Sequence, residues 1–328
     1  MNKKIILGIL IGIVLIYLSV RGINFQDTLI HFKKIRFSYV VIFIAIIILM
    51  QTLRSYRWGV ILHPLQRIDQ LSLFSVTAVG FLAIAAIPAR LGELARPYLI
   101  SKRSSIKMSS ALGTVVVERV LDGFSVLIIV AVILMMMDLP SWMIKSSIIV
   151  FLLIITLFLC IVGLIWRREK ALQIINRILR KLPGEFAHKI DELIHHFIDG
   201  FQVITNIKSL LYLFFLSTLI WLVDVAAIYA LFKAFSFALP IIASFVVMVV
   251  LIAGIAIPTA PGYIGNWHYA CIVGLTEIVP WGITKSEALS FAIVYHFLSM
   301  AIVVVLGFIF LPFNKFSISD MKKATKSK

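Results

Sequence analysis

Two short stretches of this sequence place charge among apolar residues. The first holds Arg90, Glu93 and Arg96 within Pro88-Ala89-Arg90-Leu91-Gly92-Glu93-Leu94-Ala95-Arg96-Pro97, directly after the almost wholly apolar run 71–87. Residues three apart share a helix face, so a helical return leg would carry them as a plus-minus-plus row. Arginine presents a planar fork that suits phosphate, and a glutamate between two arginines holds both in place. Prolines at both ends remove backbone donors, which lipid-facing backbone cannot tolerate. The backbone is therefore expected to break here, sheltered by protein or by a wet cavity; an ordinary polar loop is the plainer alternative. The second stretch is Glu118-Arg119 with Asp122, inside the apolar run that begins near residue 111. Glu118 and Asp122 stack on one helix face, and Arg119 reaches Asp122 at three apart. Unpaired in lipid, each would cost several kcal/mol, so they must face the protein interior. A buried network that merely joins helices is the competing reading.

A third stretch could act through its backbone. Pro258-Thr259-Ala260-Pro261-Gly262-Tyr263-Ile264-Gly265, followed by Asn266-Trp267-His268, interrupts another apolar run. Backbone opened in this way exposes amides that hold an anion or let a headgroup pass; a simple proline kink is the alternative. Asp224 and His296 each stand alone in an apolar run, and for both a structural partner and a functional role remain open.

The elements that must position these residues are membrane helices. Of 328 residues, 61% are hydrophobic and only 14% charged, and the mean hydropathy is +1.06. That composition excludes an ordinary soluble domain. The net charge of +16 would suggest nucleic acid on a soluble protein. Here the basic residues lie in short loops beside apolar runs, where anionic headgroups attract them, so no nucleic-acid partner is expected. Cys160 and Cys271 both fall in apolar segments and read as packing residues.

In chain order, 5–20 is an uncleaved first span and 25–37 lies along the opposite interface. A second span runs over 39–53, its cytoplasmic exit marked by Arg54, Arg57 and Arg67. The leg after residue 87 is too short for the roughly 20 residues a crossing needs, so 71–100 reads as a re-entrant hairpin returning to the cytoplasm. Spans follow over 111–137 and 142–166. The basic section 167–208 is then cytoplasmic and includes an amphipathic helix on Phe186, Ile190, Leu193, Phe197, Phe201 and Ile204. His188, His195 and His196 read as solvated surface histidines on it rather than a metal site. A span over 210–232, a second hairpin over 240–281 and a last span over 288–311 complete a single membrane domain, 1–314, with a basic cytoplasmic tail, 315–328. The expectation is an all-α polytopic protein with about six full transmembrane helices and two opposed re-entrant hairpins. Both termini are cytoplasmic, and the membrane is the cell (cytoplasmic, or inner) membrane. Opposed hairpins suit an inverted repeat with a site near the midplane, although no self-similarity in the sequence proves one.

The stretches Pro88 to Pro97, Val117-Glu118-Arg119-Val120-Leu121-Asp122, and Pro258 to Gly265, in that order, resemble the lysylphosphatidylglycerol synthase transmembrane-domain family, also described as flippase-like membrane proteins. The resemblance implies movement of a lipid, or of a lipid-linked sugar or amino acid, between leaflets. Relatives among hopanoid-associated and archaeal glycosylation-linked proteins leave the substrate unfixed by membership. Trp267 and His268 stand where the family usually carries an arginine and a glutamate, and His296 where an arginine is common.

The functional expectation is a transporter of a phosphate-bearing lipid, its partner a membrane phospholipid or a polyprenyl-phosphate-linked lipid. The candidate substrate-binding residues are Arg90, Glu93, Arg96, Glu118, Arg119, Asp122, Pro258, Pro261, Gly262, Gly265 and His268, with no catalytic residue, metal or cofactor expected. The family's large synthases keep their transferase chemistry in a soluble domain after the membrane part, for which the short tail after Leu311 leaves no room. The alternatives are a membrane-embedded enzyme acting on lipid phosphate through Glu93, Glu118 and Asp122, and a non-transporting scaffold for a partner synthase.

Overall fold

The structure, a computed structural model, describes residues 3–23, 25–86, 91–179, 184–257, 261–278 and 282–314. Arg90 and Pro258, two of the expected site residues, lie outside the described residues. All regular structure among them is helical: α1 (Lys3–Val20), α2 (Phe25–Lys33), α3 (Phe37–Leu62), α4 (Gln70–Ala86), α5 (Ala95–Arg103), α6 (Met108–Met136), α7 (Ser141–Trp166), α8 (Arg168–Leu179), α9 (Gly184–Asp199), α10 (Ile207–Ala234), α11 (Ile241–Ala256), α12 (Asn266–Thr276) and α13 (Lys285–Phe310).

Helix length sorts these elements by their relation to a bilayer. Five of them, α3, α6, α7, α10 and α13, are long and apolar enough to cross a membrane. The shortest of the five has 26 residues, about 39 Å at 1.5 Å per residue, against a hydrocarbon core of about 30 Å. At 18 residues, α1 sits at the short end of what a crossing requires. The apolar helices α4 and α11 have 17 and 16 residues. Each leads to a short 3-10 turn, Leu91–Leu94 or Pro261–Tyr263, and then to a return helix, α5 or α12, packed alongside it. Both expected hairpins are present.

In the second hairpin a buried amide ties the two legs together. Asn266 Nδ2 donates to the carbonyls of Gly254, at 3.0 Å, and Ile257, at 3.2 Å. These belong to the end of α11, where carbonyls run out of helical partners and lipid supplies none. Two helix starts are capped by side chains: Asn206 accepts from the amides of Lys208 and Ser209 to cap α10, and Thr284 with Glu287 forms a capping box on α13.

Two similar units emerge: α3, the α4–α5 hairpin and α6, then α10, the α11–α12 hairpin and α13. The helices α3 and α10 pack antiparallel. The Arg36 amide at the start of α3 donates to the Ala234 carbonyl at the end of α10, and Tyr56 meets Tyr212 at the opposite end. Exchanging the units carries the α4–α13 packing onto α11–α6, and α6–α10 onto α13–α3. With an antiparallel central pair, this relation is that of an inverted repeat. The amino-terminal helices join the second unit, α1 against α12 and α2 against α13, while α7 and α9 lie against α6. Along α7 only Met143 and Ile161 are buried, a few residues such as Ile154 and Phe158 pack against α6, and most of the rest is exposed and apolar.

The described ends of the two hairpins meet. A Cβ on Gly262, whose φ of +66° favours glycine, would lie 3.7 Å from the Ala85 carbonyl oxygen at the end of α4. With Cys160 and Cys271 replaced, Ala85→Cys with Gly262→Cys should cross-link under mild oxidation and read out as a gel shift. Pairing Ala85→Cys instead with Phe297→Cys, on an exposed position of α13, should not.

One boundary differs from the sequence expectation. The second span does not end at residue 53: α3 continues to Leu62 and carries Arg57 into the interior, 3% exposed. Arg57 reads as interfacial by its sign, yet carboxylates on α6 neutralise it, so the helix can keep it inside. Within the basic section, α9 is the expected amphipathic helix, and its histidines face carboxylates on the same helix. His195 lies 3.7 Å from Asp191, and His196 lies 3.6 Å from Glu192 and 3.5 Å from Asp199.

Candidate functional site

Four elements bring the charged residues to one place. On α6, Glu118 and Asp122 are four residues apart and face α3 and α5, Glu118 being 1% exposed. From α3, Arg57 crosses to both. Its Nη1 pairs with Asp122 Oδ1 and donates to Ser217 Oγ of α10 at 2.7 Å, while Nη2 reaches Glu118 Oε1 at 3.5 Å. From α5, Arg96 grips Glu118 with both prongs, at 2.8 and 3.3 Å, and its guanidinium lies 4.2 Å from the Trp58 ring centroid. Trp58 in turn donates to Thr114 Oγ1 at 3.1 Å. This network locks the first hairpin to α6 and α3.

Two glycines make the lock sterically feasible. A Cβ on Gly80 of α4 would strike the Arg96 side chain, and one on Gly92 would strike the α4 backbone at Ala83 and Ile84. The second collision is with main chain, which cannot swing aside as a side chain can.

Beside the network lies a cavity of about 210 Å³ between the two units. The first hairpin contributes Ala85, Glu93 and Arg96 to its wall; the second contributes Ile255, Tyr263 and Trp267. Its apolar lining includes Ile47, Met50, Ile220, Met248, Leu251 and Met300. Charged side chains share the same wall. Among the described lining residues are four arginines (Arg54, Arg57, Arg96, Arg119) and four carboxylates (Glu93, Glu118, Asp122, Asp224).

These charges differ in how far they are committed. Arg57 and Arg96 are buried and paired. Arg119 is held only loosely, 3.8 Å from Asp122, with its side chain 50% exposed. Arg54 lies 5.3 Å from the Phe81 ring centroid and makes no ion pair among the described residues. Asp224, 9% exposed on α10, has no hydrogen-bond or ion-pair partner among them. Several lining residues also present a buried polar atom without a hydrogen-bond partner among the described residues: Trp221 Nε1, Trp267 Nε1, Ser299 Oγ and Gln51 Oε1.

The sequence-derived candidates divide accordingly. Glu93, Arg96, Glu118, Arg119 and Asp122 line the cavity together; Arg90 and Pro258 are outside the described residues. Pro261, Gly262, Gly265 and His268 are not part of its lining. Gly262 accepts a hydrogen bond from His296 Nε2 at 2.6 Å through its carbonyl, Gly265 sits against Gly12 of α1, and His268 stacks edge-on against His296. Gly265 serves close packing there and Gly262 a positive φ, while the neighbouring Tyr263 and Trp267 line the cavity. Sequence reading missed Arg54, Arg57 and Gln51 as lining residues. Arg54 and Arg57 stand three apart on α3, a spacing that pointed to one shared helix face, but their closeness to the end of the apolar run read as an interface signal.

Fold and site together define an all-helical, multi-pass membrane protein with two opposed broken hairpins around an internal charged cavity. The chain belongs to the family described as lysylphosphatidylglycerol synthase TM region, which matches residues 5–307. It is similar to two UPF0104 membrane proteins of Methanothermobacter thermautotrophicus. One is 24% identical over 86% of this chain and 87% of the relative; the other is 29% identical over 83% of each. A UPF0104 membrane protein of Methanocaldococcus jannaschii is 28% identical over 67% of this chain and 89% of its own length. No solved structure matches the chain.

Proposed function

We propose that the protein moves the headgroup of a phosphate-bearing lipid between the leaflets of the cell membrane, with both termini and the section 167–208 on the cytoplasmic side. The observation that carries this reading is the cavity between the hairpin ends. It holds an exposed guanidinium at Arg119 and a second at Arg54 without an ion pair among the described residues. Guanidinium groups suit phosphate oxygens, and the apolar part of the lining suits the glycerol and first methylenes of a lipid. The acyl tails stay in the bilayer, so only the polar part requires a path. Placement of the site between two inverted units is the arrangement expected of alternating access.

The carboxylates favour transport over lipid-phosphate chemistry. Glu118 accepts from both Arg57 and Arg96, and Asp122 accepts from Arg57. Such bonds hold charge in place, whereas an acid–base catalyst must release and accept a proton. The test is reconstitution of the full chain into liposomes containing phosphatidylglycerol labelled on its headgroup. Inner-leaflet label should become accessible to an impermeant quencher faster than in protein-free liposomes, with the lipid's mass unchanged. Equal rates would overturn the transport reading, and a lipid of altered mass would favour the enzyme.

A further inference from the structure

Asp224 stands apart from the other carboxylates of the cavity. Glu118 and Asp122 are both held by arginines, whereas Asp224 is 91% buried, lines the cavity and makes no direct polar contact among the described residues. A membrane-buried carboxylate without a pairing cation is the chemistry of a proton acceptor. Arg54 of α3 and Tyr295 of α13 interact with it electrostatically, Arg57 of α3 and Glu118, Arg119 and Asp122 of α6 line the same cavity, and α11 presents only apolar residues there. Arg57 is already shared between Glu118 and Asp122, and Arg119 leans on Asp122. Arg54 is left as the counter-charge of Asp224, attracting it across the cavity at more than ion-pair distance.

The charge balance gives this pairing a consequence. Ionised, Asp224 offsets Arg54 electrostatically, so an anionic headgroup competes with it for that guanidinium. Neutralising Asp224 leaves one positive charge uncompensated, at Arg54. We propose that Asp224 is the site of a coupling proton, taken up together with the anionic phosphate of the lipid headgroup. The inference rests on the reading of the cavity as a headgroup site. The Asp224 carboxylate gains the proton from water, and no other bond forms or breaks. Proton and phosphate then favour one another's binding by the same factor, as linkage requires. The loaded cavity carries the same charge as the empty, ionised one, so headgroup passage moves no net charge through the low-dielectric interior.

The test titrates the purified full chain with short-chain phosphatidylglycerol across a pH series, reading affinity and proton uptake together. For the native chain, affinity should weaken by up to about tenfold per pH unit above the titration of the carboxyl group, the limit for one linked proton, with proton uptake on binding. Asp224→Asn, which mimics the neutral carboxyl group, should bind with a pH-independent affinity and take up no proton. Asp224→Glu should restore the slope, which separates titration from a packing defect. A slope that persists in Asp224→Asn overturns the coupling and leaves the headgroup site standing. Absence of binding by the native chain at every pH overturns both. If inorganic phosphate alone at the same concentration draws the same proton uptake while the lipid does not, the lipid-linked form of the proposal is overturned.

Discussion

Replacing Glu118 with alanine is expected to destabilise the folded protein by about 3–5 kcal/mol, the cost of leaving a buried charge without its partner. The effect is large because one carboxylate serves two arginines. Arg57 keeps Asp122, but Arg96 keeps only the face of Trp58. Thermal or denaturant unfolding in detergent would measure the loss. Exchanging both members of the pair, Arg96→Met with Glu118→Met, should recover much of it, because an apolar pair of similar volume avoids the desolvation penalty of both ions. A double variant as unstable as Glu118→Ala would mean that the ion pair itself contributes the stability. If the double variant folds, its lipid movement shows whether the pair does more than lock the first hairpin to α6.

Arg119→Ala should behave in the opposite way. Its ion pair is long and half-exposed, and pairs of that kind contribute about 0–1 kcal/mol. Asp122 also remains held by Arg57. Stability should therefore change little. Lipid movement should fall roughly tenfold or more, because a hydrogen bond to a charged group is worth about 1.5–3 kcal/mol. Arg119→Lys should recover part of the rate, keeping the charge but losing the fork that grips two phosphate oxygens. The liposome assay and an unfolding measurement on the same preparations check both halves. A loss of stability matching the loss of movement would assign Arg119 to the scaffold.

Much of the fold was legible because a bilayer enforces helix length. The runs that became α3, α6, α7, α10 and α13 could be counted, and the short leg after residue 87 announced the first hairpin. Glu118 and Asp122 were legible for a related reason, since carboxylates within an apolar run must turn inward and find cations. Which cations they found was not legible. Arg96 was readable as a phosphate ligand, but its fork is spent on Glu118. Arg57, readable as an interfacial charge, supplies the other half of the neutralisation. Long-range pairings such as Arg57 with Asp122 depend on which helices become neighbours, and a sequence pattern does not state this. Gly262 and Gly265 were rightly seen as marking a break. The close packing of Gly265 against Gly12, and the approach of Gly262 to the end of α4, needed the three-dimensional arrangement.

The scarcity of buried residues on α7 bears on how this protein can diverge. Along α10, Leu213, Ser217, Ile220, Asp224 and Ile228 each press on particular neighbours, so selection there acts on shape, volume and charge. Along the exposed face of α7, which carries residues such as Ile149, Leu152, Leu153 and Leu159, the surroundings are fluid hydrocarbon, which conforms to an isoleucine as readily as to a leucine or a phenylalanine. Selection on α7 therefore acts on hydrophobicity and length and is nearly blind to identity. Among descendants of this chain α7 should drift quickly within an apolar alphabet, while α10 keeps its residues one by one.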